Sequence, residues 1–218
     1  MKIFLGYILT FGWVFLVLGL TLVLKKSTGA ADEVSRKIVH ISVAFAWIPM
    51  YLCFGSSLHL VVPPAVFIVL NYISYRKNLF SAMERTDESK KSLGTVYYAV
   101  SMTVMAVFSA LFPQCLPAYG AGLFCMALGD GFAPIFGGIQ KGNRALIGSR
   151  TLYGSLSVFA ISLLVAYIMS IVFALSFGAA KLLIAALAAT LLELVGRKGF
   201  DNLTLPLGVF ALTLLFSL

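Results

Sequence analysis

Residues Pro117 to Gly138 read PAYGAGLFCMALGDGFAPIFGG. A long apolar run ends there on an acid, Asp130, set between Gly129 and Gly131 and followed by Pro134 and the pair Gly137-Gly138. Charge at membrane depth is costly, so an acid on a helix weakened by glycine and proline marks a site by default. Pro134 has no N–H to offer the Asp130 carbonyl four residues earlier, and the glycines loosen the helix on both sides. The backbone is therefore expected to open at Asp130, exposing a carboxylate and carbonyls, hard oxygen ligands that suit Mg²⁺. A basic stretch follows, with Lys141, Arg144 and Arg150, and then Tyr153-Gly154-Ser155. Its cations, with the glycine amides, can meet phosphate oxygens. The plainer alternative is that Asp130 pairs with Arg144 or Arg150 merely to fix a loop.

The rest of the chain supplies the membrane context. Of 218 residues, 61% are hydrophobic and 11% charged, with a mean hydropathy of +1.00, against roughly 25% charged residues in soluble domains. Apolar segments begin near residues 3, 39, 58, 95, 117, 154, 179 and 203. They predict an all-α, polytopic integral membrane helix bundle of about eight transmembrane helices, forming a single multi-span domain over residues 1–218. The first segment, Ile3 to Leu24, is longer than the roughly 7 to 15 apolar residues of a signal peptide and reads as a span.

Threading eight spans leaves only Lys2 and Lys181, of 16 basic residues, on one side of the membrane. The positive-inside rule then makes the other side cytoplasmic and sets both termini on the non-cytoplasmic side. All eight acids, Asp32, Glu33, Glu84, Asp87, Glu88, Asp130, Glu193 and Asp201, fall on the cytoplasmic side as well. A site built there draws on cytosolic substrates. With no soluble basic domain, the net charge of +8 is a topology signal and not the mark of a nucleic-acid binder. The cysteines, Cys53, Cys115 and Cys125, have no metal-ligand spacing and read as small apolar residues.

Three further groups carry polar chemistry. Arg36, Lys37 and His40 open the second span, with Arg36 and His40 on one helix face; they suit phosphate binding or acid–base work, or simply anchor the span end. Glu193 ends a long apolar segment and is either the i, i+4 partner of Arg197 or a second acid near Asp130. Asp201-Asn202 precede Leu203-Thr204-Leu205-Pro206, where they cap the last helix or join the site. His59 stands alone near the opposite face, and Pro49 and Pro63-Pro64 are expected to kink the second and third spans. The mixed charges from Arg76 to Lys91 read as a solvated connection. No Gly-x-x-x-x-Gly-Lys-Ser/Thr motif and no dinucleotide fingerprint occurs.

Five ordered elements together resemble the dolichol kinase and phytol kinase group of integral-membrane lipid-alcohol kinases, which includes CTP-dependent diacylglycerol kinases. They are Arg36-Lys37-x-x-His40, Ser92-Leu93-Gly94-Thr95-x-Tyr97-Tyr98, Gly129-Asp130-x-x-Ala133-x-x-x-Gly137, Arg150-Thr151-x-x-Gly154-Ser155, and Glu193 followed by Asp201-Asn202-Leu203-Thr204-Leu205-Pro206. The central stretch is also similar to phosphatidate cytidylyltransferases. Arg150 stands where that likeness expects lysine and Tyr153 where it often expects glutamate, and the tail differs from a cytidylyltransferase Pro-Gly-His-Gly-Gly run.

The resemblance implies transfer of the terminal phosphoryl group of CTP, or another nucleoside triphosphate, to the hydroxyl of a polyprenol, phytol or diacylglycerol at the cytoplasmic membrane face. In that reading Asp130 holds Mg²⁺, with Glu193 or Asp201 as a second carboxylate. Arg36, Lys37, Gly129, Gly131, Gly137, Lys141, Arg144, Arg150, Thr151 and Asn202 meet the nucleotide and its phosphates, and His40 or Asp201 orients or deprotonates the alcohol. Cytidylyl transfer to a phospholipid precursor, or transport through a broken helix, are the competing readings.

Overall fold

The computed structural model describes residues 1–29, 31–77, 92–138, 144–148 and 150–217. Lys141 and most of the charged connection after Arg76 lie outside the described residues. The described chain is almost entirely helical and divides into two compact units, Met1–Leu116 and Pro117–Leu218. Among the described residues, six helical segments are long and apolar enough to cross a membrane: Lys2–Thr28, Asp32–Phe54, Leu58–Lys77, Gly94–Leu111, Pro113–Gly138 and Leu152–Val172. The two remaining predicted spans are also helical, each of 17 residues.

In the first unit, α1 (Lys2–Thr28) packs against α2 (Asp32–Ala44) and α3 (Trp47–Phe54). Val14, Val17 and Leu18 of α1 meet Val39 and Ala46, with Leu22, Val43 and Phe67 around them. Many of the chain's other large apolar side chains face outward, among them Phe4, Phe15, Leu16 and Leu20. That outward apolarity suits a lipid surrounding, where the bilayer is the solvent of the helix exterior. The α1–α3 contact is close at Gly6, where a Cβ would stand 2.5 Å from the Phe54 ring.

The second span breaks between α2 and α3. Pro49 cannot donate to the Phe45 carbonyl, and the amides of Phe45 and Ala46 reach back three residues to Ser42 and Val43, a local tightening of the helix. The third span behaves differently from the expected mid-span kink. It starts with a 3₁₀ turn, Leu58–Leu60, and Pro63-Pro64 then occupy the first turn of α4 (Val62–Lys77). There the missing amides are ones the helix leaves unbonded in any case, so no kink is needed. His59 is not alone either, because its Nδ1 lies 2.8 Å from the Tyr7 hydroxyl. From α5 (Gly94–Leu111), the Thr95 carbonyl accepts from the buried Asn71 side chain at 2.9 Å.

The second unit starts with α6 (Leu116–Phe124), a π-helical segment (Cys125–Asp130) and α7 (Gly131–Gly138). A hairpin of β1 (Ala145–Ile147) and β2 (Arg150–Thr151) turns at Gly148, whose φ of 59° favours glycine. It leads into α8 (Leu152–Val172). Next come α9 (Ala179–Val195) and α10 (Asp201–Ser217). The buried face of α9 is Ala185, Ala186 and Ala189, small residues that allow helices to approach closely where lipid offers no hydrophobic drive to associate. At the α9 end remote from Glu193, the Lys181 ammonium donates to the Phe216 carbonyl at 2.5 Å and lies 5.6 and 5.8 Å from the Phe177 and Phe216 ring centres. Twelve residues of helix, about 18 Å at 1.5 Å per residue, separate that cation from the acid.

Candidate active site

Asp130 ends the π-helical segment. The expected opening of the backbone does not occur: the chain stays helical, but is wound more widely from Cys125 to Asp130 before α7 resumes at Gly131. A π-helical turn absorbs the misfit imposed by Pro134 without ending the helix, and such turns are frequent at functional sites. The segment lies flat against α8 because Gly129 has no side chain; a Cβ there would meet Val158 Cγ1 at 3.3 Å and Ser162 Oγ at 3.4 Å.

Arg150 is brought to Asp130 by the junction of α7, the hairpin and α8. Thr151 is the N-cap of α8, its Oγ1 accepting from the Gly154 amide at 3.3 Å, which satisfies one of the orphan amides of the first turn. The Leu152 amide donates to the Arg144 carbonyl at 2.9 Å, tying the two strands into the helix start. Gly137 and Gly154 let α7 pass closely. A Cβ at Gly137 would be 2.7 Å from Thr151 Oγ1, and one at Gly154 would be 3.1 Å from the Ala133 carbonyl oxygen.

Three acids from three elements converge on the Arg150 guanidinium. Nη1 stands 2.5 Å from Glu193 Oε1 at the end of α9 and 3.5 Å from Asp130 Oδ1, while Nη2 donates to Asp201 Oδ2 of α10 at 2.5 Å. The carboxylates are deeply buried, with Glu193 1%, Asp130 3% and Asp201 6% exposed. Arginine suits this place because its planar fork serves several carboxylates while staying charged. Burial pulls the Arg150 pKa down, but the charges of Glu193, Asp130 and Asp201 outweigh that and hold it above the ordinary arginine value.

Glu193 therefore reaches across to Arg150 of β2, the cation that Asp130 also contacts. Asp201 likewise does more than start a helix. Beside it the buried Asn202 amide donates to Asp201 Oδ1 at 3.2 Å and to the Gly199 carbonyl at 3.1 Å. Pro206 withholds from the Asn202 carbonyl the helical amide it would otherwise receive, as Pro134 does for Asp130. Arg144 is exposed just ahead of β1, and Gly131 is buried at the start of α7.

The other polar group, Arg36, Lys37 and His40, belongs to the first unit. Arg36 pairs with Glu33 on the same helix, while Lys37 and His40 are buried at 6% and 7% exposure. The Tyr98 ring stands edge-on to His40, 5.1 Å between centres, and its hydroxyl donates to the His40 carbonyl at 3.2 Å. The sequence marks Tyr98 only as part of the Ser92–Tyr98 motif, and this contact depends on the packing of α5 against α2.

Among the described residues, no group of three or more His, Cys, Asp or Glu side chains is arranged to hold a metal ion. The acids of the second unit are arranged around a guanidinium instead. Even so, one arginine nitrogen lies between Asp130 and Glu193 oxygens, so both carboxylates reach a common cation position. Mg²⁺ is usually held by one or two carboxylates with waters and substrate phosphates, not by an all-protein cage. The donor set fits that mode.

Over 188 residues, 81% of this chain and 76% of its relative, the sequence is 31% identical to a phytol kinase from Synechocystis sp.. No family model and no solved structure matches the chain.

Proposed function

Since the chain belongs to the phytol kinase family, we propose that it is a membrane-embedded lipid-alcohol kinase whose phosphoryl-transfer site is the Arg150, Asp130, Glu193 and Asp201 cluster. The observation that carries this reading is the convergence of three buried carboxylates on one guanidinium at the end of three helical elements. The donor is CTP, as the sequence resemblance implies, and the acceptor is a hydroxyl on an isoprenoid or acyl tail, with phytol first among polyprenols and diacylglycerol.

Phosphoryl transfer asks a protein for positioning and charge neutralisation more than for covalent chemistry. The alcohol oxygen forms a bond to the terminal phosphorus, the bond from that phosphorus to the bridging oxygen breaks, and the nucleoside diphosphate leaves. Asp130 and Glu193 would hold Mg²⁺, which when bound would neutralise phosphate charge. Arg150 turns its fork to phosphate oxygens, a bidentate geometry that lysine cannot reproduce. Asp201 accepts the proton of the alcohol. By the same resemblance Gly129, Gly131, Gly137, Arg144, Thr151 and Asn202 are assigned to the nucleotide and its phosphates, as is Lys141 outside the described residues, and Arg36, Lys37 and His40 form the separate polar motif of the first unit.

The cytoplasmic orientation of the site, and the eight-span threading with both termini outside, rest on the distribution of basic residues. A 17-residue helix is about 26 Å long at 1.5 Å per residue, close to the roughly 30 Å hydrocarbon core, so α9 and α10 qualify as short spans.

Purified protein given γ-labelled CTP or ATP with phytol, a polyprenol or diacylglycerol should move label to the lipid from CTP, with release of CDP. Pyrophosphate release and a CDP-lipid product would identify a cytidylyltransferase instead, and no transfer to any alcohol would refute the proposal.

A further inference from the structure

Gly196 follows α9 and has φ −65° and ψ 130°, a backbone conformation open to any residue. Conformational freedom therefore does not explain a glycine here, unlike Gly199 in the same turn, whose φ is 82°. Space does. A Cβ on Gly196 would lie 2.5 Å from Asp201 Cβ, 2.9 Å from its Cα and 3.1 Å from its amide nitrogen. Two of those three atoms are backbone, so a rotamer change cannot relieve the clash; the start of α10 must move. The Gly196 amide is already fixed, donating to the Leu192 and Glu193 carbonyls at 3.2 Å. The segment thus clamps the end of α9, where Glu193 sits, directly against the backbone of Asp201.

We propose that Gly196 is a positioning residue for phosphoryl transfer: its missing side chain sets Asp201 within reach of Arg150 and in register with Glu193. The inference rests on the site assignment above. A methyl group at position 196 displaces the α10 start away from α9, and Asp201 Oδ2, now 2.5 Å from Arg150 Nη2, is drawn off its partner.

The test uses Gly196→Ala, Asp201→Glu, their combination, Asp201→Ala, and Gly178→Ala as control. Gly178 caps the other end of α9 with φ −71°, and a Cβ there meets nothing within 4 Å. Transfer of γ-labelled phosphate to the lipid alcohol is measured with the full-length protein. Gly196→Ala is expected to lower kcat about tenfold or more while the lipid KM stays within about twofold, an interaction lost mainly in the transition state. Gly178→Ala should match the wild type. Asp201→Glu alone crowds the site and lowers kcat, but its extra methylene compensates for a displaced α10, so the double variant should exceed Gly196→Ala. A merely structural role for Gly196 gives no such rescue. Multiplying losses in the double variant, or normal kcat in Gly196→Ala beside an inactive Asp201→Ala, would overturn the positioning role alone. An active Asp201→Ala would overturn both it and the assignment of Asp201 to the reaction.

Discussion

Removing the Arg150 side chain should destabilise the second unit before any question of substrate arises. Arg150→Ala leaves Glu193, Asp130 and Asp201 buried without the guanidinium that all three contact. Breaking a buried pair by deleting one partner costs about 3 to 5 kcal/mol. The Arg150 side chain is 22% exposed, so solvent screening favours the lower end, about 3 kcal/mol. For a protein of this length that corresponds to roughly 6 to 12 °C in Tm, at about 2 to 4 °C per kcal/mol. Cys125 is 1% exposed and lies in the π-helical segment, so with Cys53 and Cys115 changed to serine, its labelling by a thiol-reactive dye during heating in detergent reports this unit. Much of the cost is the penalty of uncompensated carboxylate, so Glu193→Gln should harm the Arg150→Ala protein less than it harms the wild type. The expected coupling is about 1 to 3 kcal/mol. Arg150→Lys keeps the charge but loses the fork, and should fall between wild type and alanine in both Tm and nucleotide KM. Unchanged melting of Arg150→Ala, or strict additivity with Glu193→Gln, would refute the picture of a charge hub.

Asp130→Asn is nearly isosteric and should leave a folded protein that no longer transfers label from CTP, whereas near-normal turnover would remove Asp130 from the reaction. Thr151→Ala should lower stability by about 1 kcal/mol through loss of the α8 cap, with Thr151→Ser close to wild type; equal melting of all three proteins would show that the cap carries no weight. A cysteine placed beside Lys181 should be labelled by an impermeant reagent from outside the cell and one beside Lys141 should not; the reverse pattern would invert the proposed orientation.

Much of this protein is determined locally. Apolar runs must be helical in a bilayer because every backbone amide and carbonyl has to be bonded within the segment, so most helices begin close to where the sequence places them, whereas the second starts at Asp32, well ahead of the apolar run expected near residue 39. Asp130 with Pro134 four residues on, and Glu193 at the end of an apolar segment, mark the candidate site for the same reason: such residues are costly there without a task. Pro63-Pro64 show the limit of local reading, since the same dipeptide kinks a helix at mid-span and costs nothing in a first turn, and only the end of the preceding turn at Leu60 decides which applies. The winding at Asp130 shows it again: glycine and proline announce a weakened helix, but packing of Gly129 on Val158 and Ser162 keeps it closed as a π turn. Arg150 is separated from Asp130 by 20 residues and from Asp201 by 51, and no helical or strand period spans such distances. Close passage at Gly137, Gly154 and Gly196 is what brings those charges together. Which acid meets which cation is therefore a property of how α7, α8, α9 and α10 pack, because contact between side chains remote in sequence is set by the approach of the backbones that carry them.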